Sequence, residues 1–167
     1  MKQISIFVLL ACIITLTACS VKPSAELFCV SDKIAPPDSP AFALNASIPD
    51  DAEALTEEDG ERVIYDQGDY TIFREAFRAE SADAALRTVT GRDRKSLQVI
   101  RLSAYPQEEY RFSWTAAGET GDLACCGKLL YDGTTCYSIC FECPAELENI
   151  YRSAFYHILS GAHLEPV

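Results

Sequence analysis

The sequence is poor in basic residues and in histidine. Lysines and arginines together number 14 against 25 aspartates and glutamates, which gives a formal net charge of −11. Such a chain repels the phosphates of nucleic acids and of anionic membrane surfaces, so we expect neither as a partner. The two histidines, His157 and His163, have no cysteine or carboxylate at a spacing typical of metal ligands. They therefore predict no metal site.

The common signatures of catalysis are also missing. The chain has no Gly-x-Ser-x-Gly sequence for a nucleophilic serine and no glycine-rich loop for a phosphate group. Seven carboxylates between Asp50 and Glu61 lack the ligand spacing and the central glycine of a calcium-binding EF-hand, so they predict a solvated loop. We therefore expect a protein that is not an enzyme and that uses no cofactor or metal ion.

The N-terminus has the pattern of an export signal. Lys2 precedes an uncharged and almost wholly apolar stretch, Ile4 to Ala18, which is shorter than the ~20 residues of a membrane-spanning helix. The stretch runs into Leu16-Thr17-Ala18-Cys19, which resembles the lipobox of bacterial lipoproteins. The resemblance implies removal of residues 1–18 and attachment of fatty acyl groups such as palmitate to Cys19. The protein would then be anchored on the extracytoplasmic face of a membrane, the outer membrane where the host has two.

Two regions follow the signal. Residues 19–40 are mostly polar or small and contain four prolines, which is typical of a tether that proline stiffens locally. Residues 41–167 are enough for a single folded domain.

Local patterns predict that this domain has an α+β fold. Ser81 and Gly91 bracket a short helix as its cap residues. In residues 69–79 the apolar spacing also fits a helix, and this alternative stays open. Tyr110, Phe112 and Trp114 alternate onto one face and are assigned to the core. The predicted strands are 42–46, 62–66, 69–79, 97–104, 110–115, 123–131 and 135–143.

An amphipathic helix is predicted to close the chain. Pro144 suits the first helical position, and Gly161 ends the helix. The residues of the apolar stripe are Leu147, Ile150, Tyr151, Ala154, Phe155, Ile158 and Leu159. The patterns together predict an antiparallel β-sheet meander with one short helix and a C-terminal amphipathic helix packed on it.

This layout resembles the PsbP-like sandwich over residues 41–164. The resemblance rests on the motifs Thr88-Val89-Thr90-Gly91, Leu130-Tyr131-Asp132-Gly133, Cys143-Pro144 and Phe155-Tyr156-His157-Ile158-Leu159-Ser160. The chain departs from the family at Gly161, where an aromatic residue is usual. Plant members are non-catalytic accessory proteins of a membrane complex, so the resemblance implies a similar role and supplies no catalytic residue.

Six cysteines other than Cys19 remain after removal of the signal. Three of them have the spacing Cys136-x₃-Cys140-x₂-Cys143, as in the cluster loop of radical-SAM enzymes. The segment alternates like a strand, which places Cys143 on the side opposite the other two. We therefore expect no iron–sulfur cluster.

A disulfide across the last hairpin is a second use for these cysteines. A three-residue loop, Asp132–Thr134, pairs Cys126 with Cys140 and places Lys128 on the outer face of the sheet. Directly opposed β-carbons lie ~4.5–5.5 Å apart, which small adjustments can fit to a disulfide. A two-residue loop would instead pair Cys125 with Cys140 and set Lys128 on the apolar face. We favour the Cys126–Cys140 disulfide, and buried thiols are the alternative.

The sequence thus predicts a membrane-anchored extracytoplasmic lipoprotein with a non-catalytic binding or accessory domain. The membrane, reached through the lipid on Cys19, is the one partner that it identifies. The alternative function is a thiol-based redox or metal-binding protein that uses Cys126, Cys136 and Cys140.

Overall fold

The structure is a computed structural model, and it describes residues 41–56 and 62–167. These residues form nine strands, two α-helices and two short 3₁₀ turns. The strands are β1 (Phe42–Asn45), β2 (Glu53–Thr56), β3 (Arg62–Asp66), β4 (Thr71–Arg78), β5 (Gln98–Ser103), β6 (Glu108–Ala117), β7 (Asp122–Tyr131), β8 (Thr135–Pro144) and β9 (His163–Pro166). The helices are α1 (Ala82–Thr90) and α2 (Glu148–Gly161).

Seven of the strands form one antiparallel sheet in the order β2-β3-β4-β8-β7-β6-β5. The hairpin of β7 and β8 lies between β6 and β4, so β8 is the central strand. All its residues from Thr135 to Cys143 are buried, because layers cover the sheet on both sides. The strands β1 and β9 pair separately as a two-stranded sheet.

Two cores lie on opposite faces of the large sheet. On the α1 face, Leu86 and Val89 of the helix pack on a cluster that includes Phe73, Phe77 and Leu129. On the α2 face, the helix and the β1–β9 pair pack on a second cluster. That cluster includes Ile72, Tyr137, Ile139, Phe141, Phe155 and Leu159. The three aromatics Tyr110, Phe112 and Trp114 are buried on the α1 face, which confirms their assignment to the core.

The caps of α1 are the predicted ones. The Ser81 Oγ accepts a hydrogen bond from the Ala84 N–H at 3.1 Å, which satisfies a donor that the first helical turn leaves without a partner. Gly91 adopts a left-handed conformation with φ of 66°, and its N–H donates to the Arg87 carbonyl at 2.8 Å.

The terminal helix keeps most of its predicted stripe. Phe155, Ile158 and Leu159 are buried, but Ile150, which is 68% exposed, and Ala154, which is also exposed, do not belong to the stripe. The predicted start at Pro144 is wrong, because Pro144 ends β8 and the helix begins at Glu148. The last helical residue is Gly161, and Ala162 is the C-cap.

The predicted fold class is confirmed. The chain is an α+β protein with an antiparallel meander, one short helix and a C-terminal helix packed on the sheet. Residues Thr71–Arg78 form a strand, which resolves the helix–strand ambiguity of that segment. Two short strands were not predicted: β2, which lies where a solvated loop was expected, and β9. No helix of residues 41–56 and 62–167 is long and apolar enough to cross a membrane.

The register of the last hairpin differs from the prediction. The turn residues are Gly133 and Thr134, since the Asp132 N–H donates to the Thr135 carbonyl at 3.2 Å. Both predicted registers are wrong, because Cys140 lies opposite Gly127. Asp132 fixes this turn: its Oδ1 accepts from the Thr134 and Thr135 N–H groups at 2.9 and 2.7 Å.

The predicted Cys126–Cys140 disulfide is therefore wrong. Cys126 lies opposite Phe141 and belongs to the α2 face, whereas Cys140 belongs to the α1 face. Their side chains point to opposite sides of the sheet, so small backbone adjustments cannot bring the two sulfur atoms within bonding distance. The alternative link from Cys125 to Cys140 is not a directly opposed pair either, because Cys125 lies opposite Glu142.

The physical reason is that the sheet has no solvated face at this hairpin. The prediction excluded Lys128 from the apolar face, yet Lys128 lies there, opposite Ile139, and is only 4% exposed. Its Nζ lies 2.7 Å from the Glu109 carboxylate and donates to the Ala162 carbonyl at 2.5 Å. An ion pair and a hydrogen bond thus satisfy the buried ammonium.

Candidate functional site

A cleft opens beside α2 on its face of the sheet. The helix packs on β7 and β8, and strands β5 and β6 continue past it toward the sheet edge. Between the side of the helix and strands β5–β7 lies a cavity of about 470 Å³, which we call the α2 cleft. Pockets that enclose small molecules typically have volumes of ~300–1,000 Å³.

The lining of the α2 cleft is mainly apolar. Ala124 of β7 and Phe155 and Leu159 of α2 contribute to it, together with Ile100 and Tyr156. The last two are 64% and 65% exposed, which is unusual for large apolar and aromatic side chains. The cleft therefore joins an apolar interior to an exposed apolar rim.

Contacts at both ends hold α2 in place. Near the start of the helix, the Tyr151 hydroxyl donates to the Asp69 carboxylate at 2.6 Å. In the middle, the Phe155 ring stacks on Phe141 with centroids 4.4 Å apart. At the end, Lys128 holds the Ala162 carbonyl. Because the helix is fixed to the sheet along its length, the cleft is preformed in this structure.

Arg111 of β6 is the main cation of the cleft wall. Its Nη2 donates to the Ser160 Oγ at 2.7 Å, and its guanidinium lies over the Tyr156 ring at 4.7 Å from the centroid. The Nε is buried and donates to no acceptor in residues 41–56 and 62–167. The cleft thus contains a positive charge with a donor group that remains unsatisfied.

A second charged pair marks the end of the cleft near the start of α2. Arg152 and Glu148 both line it and form an ion pair one helical turn apart, with Nη2 and Oε1 at 3.0 Å. Both side chains are largely exposed, so solvent screens this pair. Unlike Arg111, Arg152 already has a carboxylate partner.

Three cysteines border the cleft, namely Cys125, Cys126 and Cys143. Cys126 is half-buried, whereas Cys125 and Cys143 are buried. Burial raises the pKa of the Cys143 thiol to about 11, and the nearby carboxylates of Glu148, Glu142 and Glu146 act in the same direction. A thiol with a raised pKa stays protonated at neutral pH and is a poor nucleophile and metal ligand.

The cysteines of the alternative function do not come together. Cys126 lies on the α2 face, whereas Cys136 and Cys140 are buried on the α1 face. Those two are four residues apart on one strand, about 13 Å at ~3.3 Å per residue. Burial also raises the pKa of the Cys136 thiol well above its usual value. In the described part of the chain, no three His, Cys, Asp or Glu side chains could hold a metal ion together.

A buried polar cluster lies on the opposite, α1 face. Arg62 and Glu75 form an ion pair with Nε and Oε1 at 2.8 Å, and both side chains are almost fully buried. Glu142 is 4% exposed on the same face, and its Oε2 accepts no hydrogen bond from the described residues. Burial raises the pKa of Glu142 to about 7, although the Arg62 charge acts in the other direction.

The sequence did not reveal the cleft. One part of its signal was visible, because the alternation that buries Tyr110 and Phe112 places Arg111 and Ser113 on the other face of β6. The spacing alone does not predict that α2 lies beside this face. The predicted lipidation residue, Cys19, lies outside the described residues, as does the whole of segment 1–40.

No family model and no curated protein sequence matches the chain. Among solved structures, LpqN of Mycobacterium tuberculosis, described as involved in cell envelope biogenesis, is similar with a TM-score of 0.54 and 12% sequence identity. The match covers 80% of this chain and 90% of LpqN, and it shows a shared fold. PsbP (CyanoP) of Synechocystis sp. PCC 6803 gives a TM-score of 0.37 at 7% identity over 68% of this chain and 92% of that one, and no argument is based on it.

Proposed function

We propose that the protein is an extracytoplasmic lipoprotein, anchored to the membrane through Cys19, whose domain binds an apolar molecule in the α2 cleft. The role is non-catalytic: the domain takes up or presents its ligand beside the membrane. The observation that carries the proposal is the cleft itself, a preformed apolar cavity of about 470 Å³ with an exposed rim.

The physical chemistry of the cleft supports binding over a structural role. A stable core fills its space at the density of an organic crystal, and an apolar cavity of this size forfeits packing energy. An apolar ligand gains about 25 cal/mol for each Å² of apolar surface that it removes from water. The exposed Ile100 and Tyr156 would lose their contact with water in the same step.

The proposed location rests on the sequence and on the fold. The lipobox-like segment that ends at Cys19 supports anchoring, since two or more acyl chains give stable membrane attachment. The shared fold with LpqN supports an envelope role for this chain as a proposal. The raised pKa values of Cys136 and Cys143 favour the binding domain over the thiol-based alternative.

The anchor is tested by substitution of Cys19. In the full-length chain, Cys19→Ala should abolish labelling with a radioactive or clickable palmitate analogue, and fractionation should find the protein uncleaved or released. Cys29→Ala is the matched control, because it removes another cysteine of the same N-terminal region and should leave labelling intact. A Cys19→Ala chain that is labelled and membrane-bound like the wild type would contradict the anchor.

The cleft is tested with a neutral fluorescent probe. The mature chain, residues 19–167 with Cys19→Ser, should bind N-phenyl-1-naphthylamine at one saturable site, with the increase in fluorescence typical of an apolar environment. Ser113→Phe should lower the affinity, because Ser113 lines the cleft and a ring there fills it. Thr115→Phe is the matched control, since Thr115 is exposed on the same face of β6 outside the cleft. No saturable binding by the folded wild-type chain would overturn the proposal.

A further inference from the structure

Arg111 is exceptional among the cations around the cleft. Lys128 pairs with Glu109, and Arg152 pairs with Glu148. Arg111 contacts only neutral groups in the described residues, namely the Ser160 hydroxyl and the Tyr156 ring. A chain with a net charge of −11 has carboxylates in excess, yet none of the described ones lies within ion-pair distance of this guanidinium.

The surroundings of Arg111 favour an anion beside its partly exposed guanidinium. Its Nε is out of contact with water and has no acceptor, and apolar side chains form most of the cleft beside it. A buried donor that lacks an acceptor is unfavourable, and more so when the group is charged. A carboxylate is the anion whose geometry a guanidinium matches best, through two parallel N–H···O bonds.

We infer that the α2 cleft binds a single-chain amphiphile that carries a carboxylate, with the apolar chain in the cleft and the carboxylate on Arg111. The inference rests on the proposed function and specifies the ligand of the same site. One cavity of about 470 Å³ accommodates one such chain, which argues for a free amphiphile over a two-chain membrane lipid. The Ser160 hydroxyl accepts from Nη2 at 2.7 Å and donates to the Tyr156 carbonyl at 2.7 Å, so it holds the guanidinium in position.

The neighbouring groups favour this orientation. Tyr156 covers the guanidinium with its ring, which leaves the edge of the group for an anion. Glu148 lies at the other end of the cleft and is paired with Arg152, so it repels a second anion there less than an isolated carboxylate would. The ligand would therefore place its charged end at Arg111 and extend its chain past Leu159 and Phe155.

The test compares two competitors that share a chain and differ in charge. Decanoate and decan-1-ol are titrated against the mature Cys19→Ser chain with bound N-phenyl-1-naphthylamine at pH 7.4, below the concentrations at which either aggregates. We expect decanoate to displace the probe at a concentration at least about tenfold lower than decan-1-ol requires. The reason is that a hydrogen bond to a charged group contributes ~1.5–3 kcal/mol, and ~1.4 kcal/mol corresponds to a factor of ten.

Substitution of Arg111 separates charge from shape. Arg111→Met keeps an apolar stem in the cleft and should weaken decanoate about 10- to 100-fold while leaving decan-1-ol unchanged. Arg101→Met is the matched control: it removes the same charge from β5 on the other face of the sheet and should affect neither competitor. Arg111→Lys should restore part of the preference, since it restores the charge without the two parallel bonds.

The possible results distinguish the inference from the proposed function. If decan-1-ol displaces the probe with an affinity equal to or higher than that of decanoate, the inference is overturned. The cleft would then still be a site for apolar molecules. No probe binding at all removes both. Flotation with phosphatidylglycerol vesicles forms the second arm. The inference is overturned if the wild type binds these vesicles, Arg111→Met does not, and decanoate fails to compete. The anion on Arg111 would then be a lipid headgroup.

Discussion

Gly127 lies directly opposite Cys140 across the β7–β8 pair, and the cysteine sulfur takes the space of a side chain at position 127. A β-carbon on Gly127 would stand 2.7 Å from the Cys140 Sγ and 2.7 Å from the Phe112 Cζ. Both distances are shorter than any ordinary van der Waals contact, and the sites lie in the α1-face core. Glycine is therefore the residue that this register requires.

We predict that Gly127→Ala lowers the free energy of unfolding by about 1–3 kcal/mol, the usual cost of overpacking a core. Urea denaturation followed through Trp114 fluorescence measures the change. Gly161→Ala is the control, because a β-carbon there meets no atom within 4 Å and the helical backbone accepts it.

A double variant checks the register itself. Cys140→Ala removes one of the two close atoms, so Gly127→Ala should cost less in that background than in the wild type. Equal costs in the two backgrounds would show that residues 127 and 140 are not neighbours, and would contradict the register.

The elements of the fold could be predicted better than their pairing. The bounds of α1 and of the β7–β8 hairpin follow from local signals, namely the Ser81 cap, Gly91 and the turn-forming sequence Asp132-Gly133-Thr134. The register of β7 on β8 depends on which faces of the sheet are covered by other elements, and only the tertiary structure determines that. Lys128 shows the difference: its charge predicts a solvated face, but Glu109 and the Ala162 carbonyl allow it to be buried.

The candidate site could be predicted less well than the fold. The cleft exists because α2 leaves strands β5 and β6 partly uncovered, and the position of a helix across a sheet is not encoded in its spacing. Ile150 illustrates this limit, since its spacing predicts burial and the structure exposes it. The number of cysteines suggested a shared site, but the structure places them on two opposite faces of the sheet.

Phe155 provides a test of how firmly α2 is docked. The ring is buried and contacts Phe141 and Tyr70, and it also lines the cleft. Phe155→Ala should lower the free energy of unfolding by about 3–5 kcal/mol, the usual range for a buried aromatic. Ile150→Ala on the same helix should change it by less than about 0.5 kcal/mol, because Ile150 is exposed. Similar losses for the two variants would mean that the helix is rotated relative to this structure.

The buried Glu142 predicts that stability depends on pH. The pKa of Glu142 is raised to about 7 in the folded protein from an ordinary value of 4.5, chiefly by burial. Between about pH 4.5 and pH 7, Glu142 therefore keeps its proton in the folded protein, whereas it has lost the proton in the unfolded chain. The stabilisation from that proton is complete below about pH 4.5 and is lost as the pH rises through about 7. The glutamine variant Glu142→Gln has no such proton to lose.

We therefore expect Glu142→Gln to match the wild type in melting temperature near pH 4.5 and to exceed it at pH 8. Arg62, which is paired with Glu75, favours the ionised form of Glu142, and Cys125 lies directly opposite Glu142 on β7. Glu119→Gln, in an exposed turn, removes the same charge and serves as the control for net charge. A difference between wild type and Glu142→Gln that stays constant from pH 4.5 to 8 would show that Glu142 does not titrate in this range. A constant difference would then come from altered contacts of the side chain at position 142, because a lost hydrogen bond or a poorly packed amide affects stability equally at every pH.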